Sequence, residues 1–354
     1  LELNRPLAHD VTLALLDQFE MRDQERRRQV VDILRELLPR LLRKPDFGTV
    51  ALIVNELQLL ANKTGERDTQ ELVASLLRDM SEAMAELVSA ADEIEDGPAE
   101  DELDALLGAL QAEAIPTLVR ALPAMTDPVL RGQVEDALDR LILRFPRHVT
   151  RLLQAEDPML SAEAAGIVSR LEVPGALDGL VEAAGRPEAI ARRAAIEALG
   201  KLDSPDASRV VADALRDEDA AVRVAAVTAL ARRDSPDVES AIRDEVSARG
   251  FASRDPAEQM AHLKALVKVS GAAATGVLGE ILNGRRWVLF RYPSALRGSA
   301  ARALALVGTP EAVEELRKAE SDGSSTVSHA VRVSLRHIEK GPEPSPETTP
   351  EDGS

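Results

Sequence analysis

Five histidines and no cysteine limit the metal and nucleophile chemistry open to this 354-residue sequence. Glu258 and His262 are spaced i, i+4 and would share a helix face, but a zinc site of the H-E-x-x-H type needs a second histidine there. His329 and His337 are eight positions apart, about 12 Å along a helix and too far to chelate one ion. His9-Asp10 is a lone pair, and His148 has no ligand-type neighbour. Absence of cysteine removes thiolate zinc sites, iron–sulfur clusters, disulfides and thiol nucleophiles together. Gly271, Gly276 and Gly279 form a glycine-rich stretch, yet no Gly-Lys-Ser/Thr follows it and no strand precedes it, so it does not read as a phosphate loop. Small residues there are expected to let two helices approach closely. Carboxylates are too numerous for any pair to stand out as acid and base. No enzyme is indicated, and no cofactor or metal is expected.

One segment carries a different chemistry. Asn283 to Pro293 holds Trp287, Phe290 and Tyr292, three of the seven aromatics, with Arg285, Arg286 and Arg291 and no acid. Trp, Tyr and Arg dominate binding hot spots because they bury much area at modest entropy cost. The segment is expected to protrude as a loop or extra turn and to touch a protein partner. The competing expectation is that Trp287 and Phe290 fold back as a plug over neighbouring helices, as large apolar groups usually do.

Charge and composition narrow the partners. With 61 acidic against 43 basic residues the net charge is −18, the wrong field for an extended phosphate backbone. An aromatic share of 2% leaves few rings for stacking bases or lining a ligand pocket. Nucleic acid is therefore not an expected partner. No uninterrupted apolar run approaches the roughly 18–20 residues that span a bilayer. The longest candidate, Val50 to Leu60, is broken by Asn55, Glu56 and Gln58. No membrane partner is expected, and the default location is cytoplasmic. A first residue of Leu, without a charged-then-apolar leader, suits a processed chain or a piece of a longer protein with a domain upstream.

The elements that position these residues are helices. Apolar residues recur at spacings of three and four, and Pro and Gly fall between the periodic stretches. Asp127 leads through Arg131 to Ala137-Leu138, and Asp219 leads through Arg223 to Ala229-Leu230. Glu188 to Arg192 ends at Ala198-Leu199, and Leu296-Arg297 ends at Ala303-Leu304. Degenerate copies start at Asp157-Pro158, Asp255-Pro256 and Asp322. Helix ends near 141, 171, 202, 233, 269, 307 and 338 give intervals of 30, 31, 31, 36, 38 and 31 residues. Pro174, Pro205, Pro236 and Pro310 follow these ends and suit a first helical turn, with Ser204, Ser235 and Thr309 in the N-cap place. A helix pair cannot bury both its faces alone, so neighbouring pairs must stack. The expected fold is all-α, an α-solenoid of about ten antiparallel helix pairs. Residues 1–96 are diverged helical repeats or a cap, with helices over Asp23–Leu38, Phe47–Leu60, Thr69–Met80 and Ser81–Ile94. Residues 97–340 form the array. Residues 341–354, with four Pro, four acids and no large apolar group, are expected to be disordered. Seven acids between Asp92 and Glu102 read as a solvated loop.

Asp219, Val222, Arg223, Ala226, Ala229 and Leu230 carry a pattern that resembles the HEAT-repeat superfamily. The short period is similar to that of the bacterial HEAT-like repeats of phycobilisome bilin lyases. The resemblance implies a protein-interaction scaffold; its alternative implication is a bilin-lyase-like or chaperone-like subunit acting on a chromophore-carrying protein. Diiron HEAT enzymes rely on His-Glu dipeptides, and this sequence has none. Some HEAT-like proteins are alkylpurine glycosylases, for which the acidic field is wrong. The resemblance also implies a ladder of Asp–Arg bonds within and between repeats, to which Asp127, Arg131, Arg192, Asp219, Arg223 and Arg297 are assigned. Copies with Ser161, Gln259 or Ser328 in the Arg place should interrupt it.

Overall fold

The computed structural model describes residues 14–15, 17–19, 23–41, 47–64, 66–93, 98–233, 236–248, 250–287 and 290–340. The chain divides into two compact units, Leu1–Ala183 and Ala184–Ser354, a division inside the stretch 97–340. Among the described residues there are 18 α-helices.

The first unit contains α1 (Gln24–Leu41), α2 (Phe47–Thr64), α3 (Arg67–Ala90), α4 (Glu100–Ala109), α5 (Ile115–Ala121), α6 (Pro128–Arg144), α7 (Pro146–Leu152), α8 (Pro158–Arg170) and α9 (Leu177–Ala183). Alternate helices pack together, α1 on α3, α2 on α4 and α3 on α5. The second unit contains α10 (Ala189–Leu199), α11 (Pro205–Asp213), α12 (Ala220–Leu230), α13 (Pro236–Ser247), α14 (Pro256–Ser270), α15 (Ala274–Asn283), α16 (Ser294–Val307), α17 (Pro310–Lys318) and α18 (Ser325–Lys340). Here α10, α12, α14, α16 and α18 each pack on the next to make one layer, and α11, α13, α15 and α17 lie against it as a second. This two-layer stack of helix pairs is an α-solenoid.

Local chemistry starts and spaces these helices. Asp127, Asp157, Asp219 and Asp255 are N-caps, their carboxylates accepting N–H groups of the first turn; Asp219 Oδ1 takes those of Ala221 and Val222 at 2.8 and 3.3 Å. Thr309 also caps with its side chain, onto Ala312 N. Ser204 occupies an N-cap position without a side-chain cap. Ser235 lies outside the described residues. The helices of the first layer, with α10, α12, α14 and α16 in contact along the chain, are rich in alanine because they approach closely. A Cβ on Gly200, just past α10, would sit 2.4 Å from the Cβ of Ala229 on α12. Val222, Ala226, Leu263, Leu266, Ala300 and Leu304 are fully buried in this layer.

Three features depart from the sequence expectations. Residues 67–90 form one 24-residue helix with no break at Ser81; Ser81 is buried, and its Oγ accepts the Gln111 N–H at 2.6 Å instead of capping a new helix. A two-stranded antiparallel hairpin, β1 (Arg285–Trp287) and β2 (Phe290–Arg291), interrupts the helices in place of a loop or extra turn. Finally, Pro256–Asn283 is long and apolar enough to cross a membrane by length and composition, a stretch not found by counting uninterrupted apolar residues. Gly271, at φ 53°, ends α14 within it, and its Glu258, Gln259 and His262 are buried with protein partners.

Candidate functional site

The position four residues beyond each first-layer N-cap is where the polar chemistry concentrates. In α10 it is Arg192, 7% exposed. Its Nη1 donates to the carbonyls of Arg186 and Pro187 at 2.9 and 2.6 Å, tying down the turn before its own helix. Its Nε and Nη2 grip Asp217 of the following repeat at 2.9 and 2.8 Å. In α12 it is Arg223, which donates to the carbonyls of Asp217 and Glu218 and holds Glu258 bidentately at 2.6 and 2.8 Å. In α16 it is Arg297, whose Nε donates to Leu282 O at 2.8 Å while its Nη atoms hold Asp322 at 3.2 and 2.5 Å. Side chains of Arg297 and Asp322 are each only 5% exposed.

Each arginine therefore does two jobs: it caps carbonyls in its own repeat and bridges to an acid in the next. Two of the three copies without arginine keep the first job. Ser161 Oγ donates to Leu153 O at 2.6 Å, and Gln259 Nε2 donates to the carbonyls of Phe251, Ala252 and Arg254. Ser328 donates only to Ser325 O, within its own turn. Arg131 does neither job: it is exposed and makes no ion pair among the described residues. At its turn the roles are reversed, since Asp92 accepts the N–H groups of Thr126 and Asp127 at 2.9 and 2.8 Å.

The carboxylates that receive the arginines are Asp217, Glu258 and Asp322, whereas Asp127 and Asp219 cap their own helices. The reason is local. An N-cap carboxylate faces its own first turn, while a carboxylate two residues earlier sits on the turn that faces the preceding repeat. Asp217 and Asp322 both stand two residues before the next N-cap position, and each also accepts a backbone N–H, from Asp219 and Ser324. Burial pushes the Asp217 carboxyl up, but hydrogen bonds from Arg192 and Asp219 N–H, with the charges of Arg192 and Arg223, outweigh it and hold the group below its ordinary value. The D-x-D spacing at 217–219 is the sequence signal for that acceptor. Arg27, in the same place after Asp23, donates to Phe19 O and Thr69 Oγ1 and pairs with Glu66, a bridge that the loose N-terminal pattern conceals.

Where an insertion lengthens the connection before α14, the bridge becomes a buried cluster. Arg254 pairs with Glu245 and lies 3.3 Å from Glu258. His262, fully buried, donates from Nδ1 to Glu258 O at 2.9 Å and turns Nε2 to Arg254 Nη1 at 3.4 Å. Burial, and then the Arg254 charge, push the imidazole below its usual range. Among the described residues no group of His, Asp and Glu is arranged to hold a metal ion. A cleft of about 560 Å³ between α11 and α13 is lined by Asp203, Arg209, Arg233 and Asp237 with serine, alanine, leucine and valine side chains, without an aromatic ring.

Of the segment singled out for its aromatics, the structure places Arg285, Arg286 and Trp287 on β1 and Phe290 and Arg291 on β2, with Trp287 opposite Phe290. Their side chains lie outside the described residues. Tyr292 follows β2 and is half-buried.

Repeats that lock to one another through a first-layer arginine match known family models. HEAT-repeat models match residues 146–219 and 178–251, and the model of the PBS lyase HEAT-like repeat matches 296–322. Within residues 146–251 and 296–322 the chain carries HEAT-type repeats. The second match spans Arg297 and Asp322, so this arginine–aspartate bridge lies wholly within it. No curated protein sequence matches the chain. Among solved structures, human deoxyhypusine hydroxylase in complex with glycerol is similar at 17% identity, with 74% of this chain and 98% of that chain covered and a TM-score of 0.30. An engineered protein is similar at 19% identity, with 93% and 99% covered and a TM-score of 0.37. The karyopherin Kap121p bound to the extreme C-terminus of the phosphatase Cdc14p is similar at 14%, with a TM-score of 0.43; 94% of this chain aligns, but it spans only 46% of the karyopherin.

Proposed function

We propose that the protein is a non-enzymatic, cytoplasmic scaffold whose HEAT repeats bind a protein partner through their exposed helix surfaces, with the Arg285–Tyr292 segment as one contact. The observation that carries this reading is the use of the buried charges. Arg192, Arg223 and Arg297 and the acids they hold are engaged in joining repeat to repeat, which gives a rigid frame. A rigid helical frame carrying a segment rich in aromatic residues and arginine suits recognition of another protein.

The test is a pull-down from the native organism's lysate, wild type beside a Trp287→Ala, Arg291→Ala double variant. A stoichiometric protein partner held by the wild type and lost from the variant supports the reading and its contact. Retention by both moves the contact to the helix surfaces. Recovery of a nucleic acid or small molecule without a protein sinks the reading. The match at 296–322 favours a second reading, a subunit acting on a chromophore-carrying protein. Co-expression with a bilin and an acceptor protein that yields no coloured adduct disposes of it.

A further inference from the structure

The corner between α6 and α7 is charged opposite to the rest of the molecule. From Arg140 to Ala155 the sequence holds four arginines and one histidine and no acid, within a chain of net charge −18. Arg140, Leu143 and Arg144 fall at i, i+3 and i+4 on the last turns of α6, so they share a face. Arg147 and Arg151 share a face of α7 in the same way. All four arginines are exposed, and none makes an ion pair among the described residues. By contrast, Arg170 nearby is held by Asp139 at 2.5 and 2.8 Å. The helix macrodipole accounts for a cation in the last turn of each helix, Arg144 and Arg151, but not for Arg140 and Arg147.

Two apolar groups sit among these charges. Leu143 is 63% exposed, one of the most exposed large hydrophobic side chains described. Phe145 forms the turn between the helices, half-buried, with the Arg144 guanidinium 5.0 Å from its ring centroid and the His148 ring edge-on at 6.1 Å. Stacking on the ring holds Arg144 in place before any partner arrives, which lowers the entropy lost on binding.

We infer that the Arg140–Arg151 corner is a docking surface for an acidic peptide segment of a protein partner, with Leu143 and Phe145 receiving an apolar side chain between its carboxylates. This deepens the scaffold reading and rests on it. Charge complementarity selects the carboxylates, because a planar guanidinium matches them bidentately. Two observations favour peptide over nucleic acid. Asp136 and Asp139 precede the patch in the chain and Glu156 and Asp157 follow it, which limits the basic stretch to a short anionic segment and disfavours a long polyanion. A central exposed leucine also has no counterpart on a phosphate backbone.

The test uses the full chain and a fluorescein-labelled twelve-residue peptide of Glu and Asp with one central Leu, read by fluorescence anisotropy at about 0.15 M salt. Three variants accompany it: Arg140, Arg144, Arg147 and Arg151 all changed to Ala, the same four changed to Lys, and Leu143→Ser. The inference predicts at least tenfold weaker binding for the Ala variant, severalfold weaker for the Lys variant and for Leu143→Ser, and thermal unfolding unchanged in each. Equal binding by wild type and Ala variant overturns it. Equal binding by wild type and Lys variant reduces the patch to a diffuse charge effect and also overturns it. Tighter capture of a labelled thymidine oligonucleotide than of the peptide assigns the corner to nucleic acid, against the inference. Wild-type binding that appears only once residues 341–354 are removed gives the corner to the chain's own acidic tail, again against it. A lysate partner lost with Trp287→Ala, Arg291→Ala but kept by the Ala variant leaves the scaffold reading standing while this corner falls.

Discussion

Arg297 and Arg131 occupy the same place in their repeats, four residues beyond an N-cap, yet one is 4% exposed and bridged while the other faces water unpaired. The difference lies in the next repeat. Two residues before the following N-cap position, Arg297 meets Asp322 and Arg192 meets Asp217, whereas Arg131 would meet Ala155. An arginine can leave water only where a carboxylate and free carbonyls replace its hydration. The repeat pattern offers the arginine; the neighbour decides whether it enters the core.

The comparison can be broken most forcefully at Arg297. Arg297→Ala strands Asp322 in the interior and leaves Leu282 O without its donor, for an expected loss of about 3–5 kcal/mol by denaturant unfolding. A loss below 1 kcal/mol would remove the distinction between the two arginines.

Acid probes the buried cluster next. His262 is neutral and buried against Arg254, with its folded pKa below the ordinary value near 6.5. The unfolded chain takes the proton first, so stability is complete above about pH 6.5 and falls as the pH drops below it, at most by about 1.4 kcal/mol per pH unit. The loss continues only until the folded imidazole itself protonates. Unfolding midpoints measured from pH 7.5 to 5.5 should decline in the wild type and stay level in His262→Gln. A further loss below about pH 4 is expected as Asp217 and Asp92, both held below the ordinary carboxylate value, lose their charge.

Asp219→Ala removes a cap without touching the bridge, and should cost about 1 kcal/mol. Were Asp219 itself the acceptor of Arg192, the cost would approach that of Arg297→Ala. The comparison is sharpened by Ala155→Asp, which gives Arg131 the carboxylate it lacks. A stabilisation of up to about 1 kcal/mol, abolished by Arg131→Ala, is the expected result.

Much of this was legible in the sequence. Helix pairs, the proline starts of α11, α13 and α17 and the Asp219–Arg223–Leu230 pattern follow from spacing and propensity, which are local properties, whereas Pro174 falls in a turn three residues before α9. The acceptors were not, because Asp217, Glu258 and Asp322 are chosen by which turn faces which in the stacked repeats. Ser161 and Gln259 illustrate the same limit: by residue type they break the ladder, but by position they still cap the turn. Ser81 resembles a helix start until its hydroxyl is seen bonded to Gln111, thirty residues away. The hairpin at 285–291 eluded the helical period because its residues alternate over too few positions to register as strands.

A double-mutant cycle at the two matched positions bears most directly on the claim that the neighbour's carboxylate sets the arginine's role. Unfolding free energies would be measured for Arg297→Met, Asp322→Asn and their combination, beside Arg131→Met, Ala155→Ser and theirs. A coupling of about 2 kcal/mol or more at Arg297–Asp322, with none beyond about 0.5 kcal/mol at Arg131, is the predicted result. Equal couplings at the two positions would contradict it.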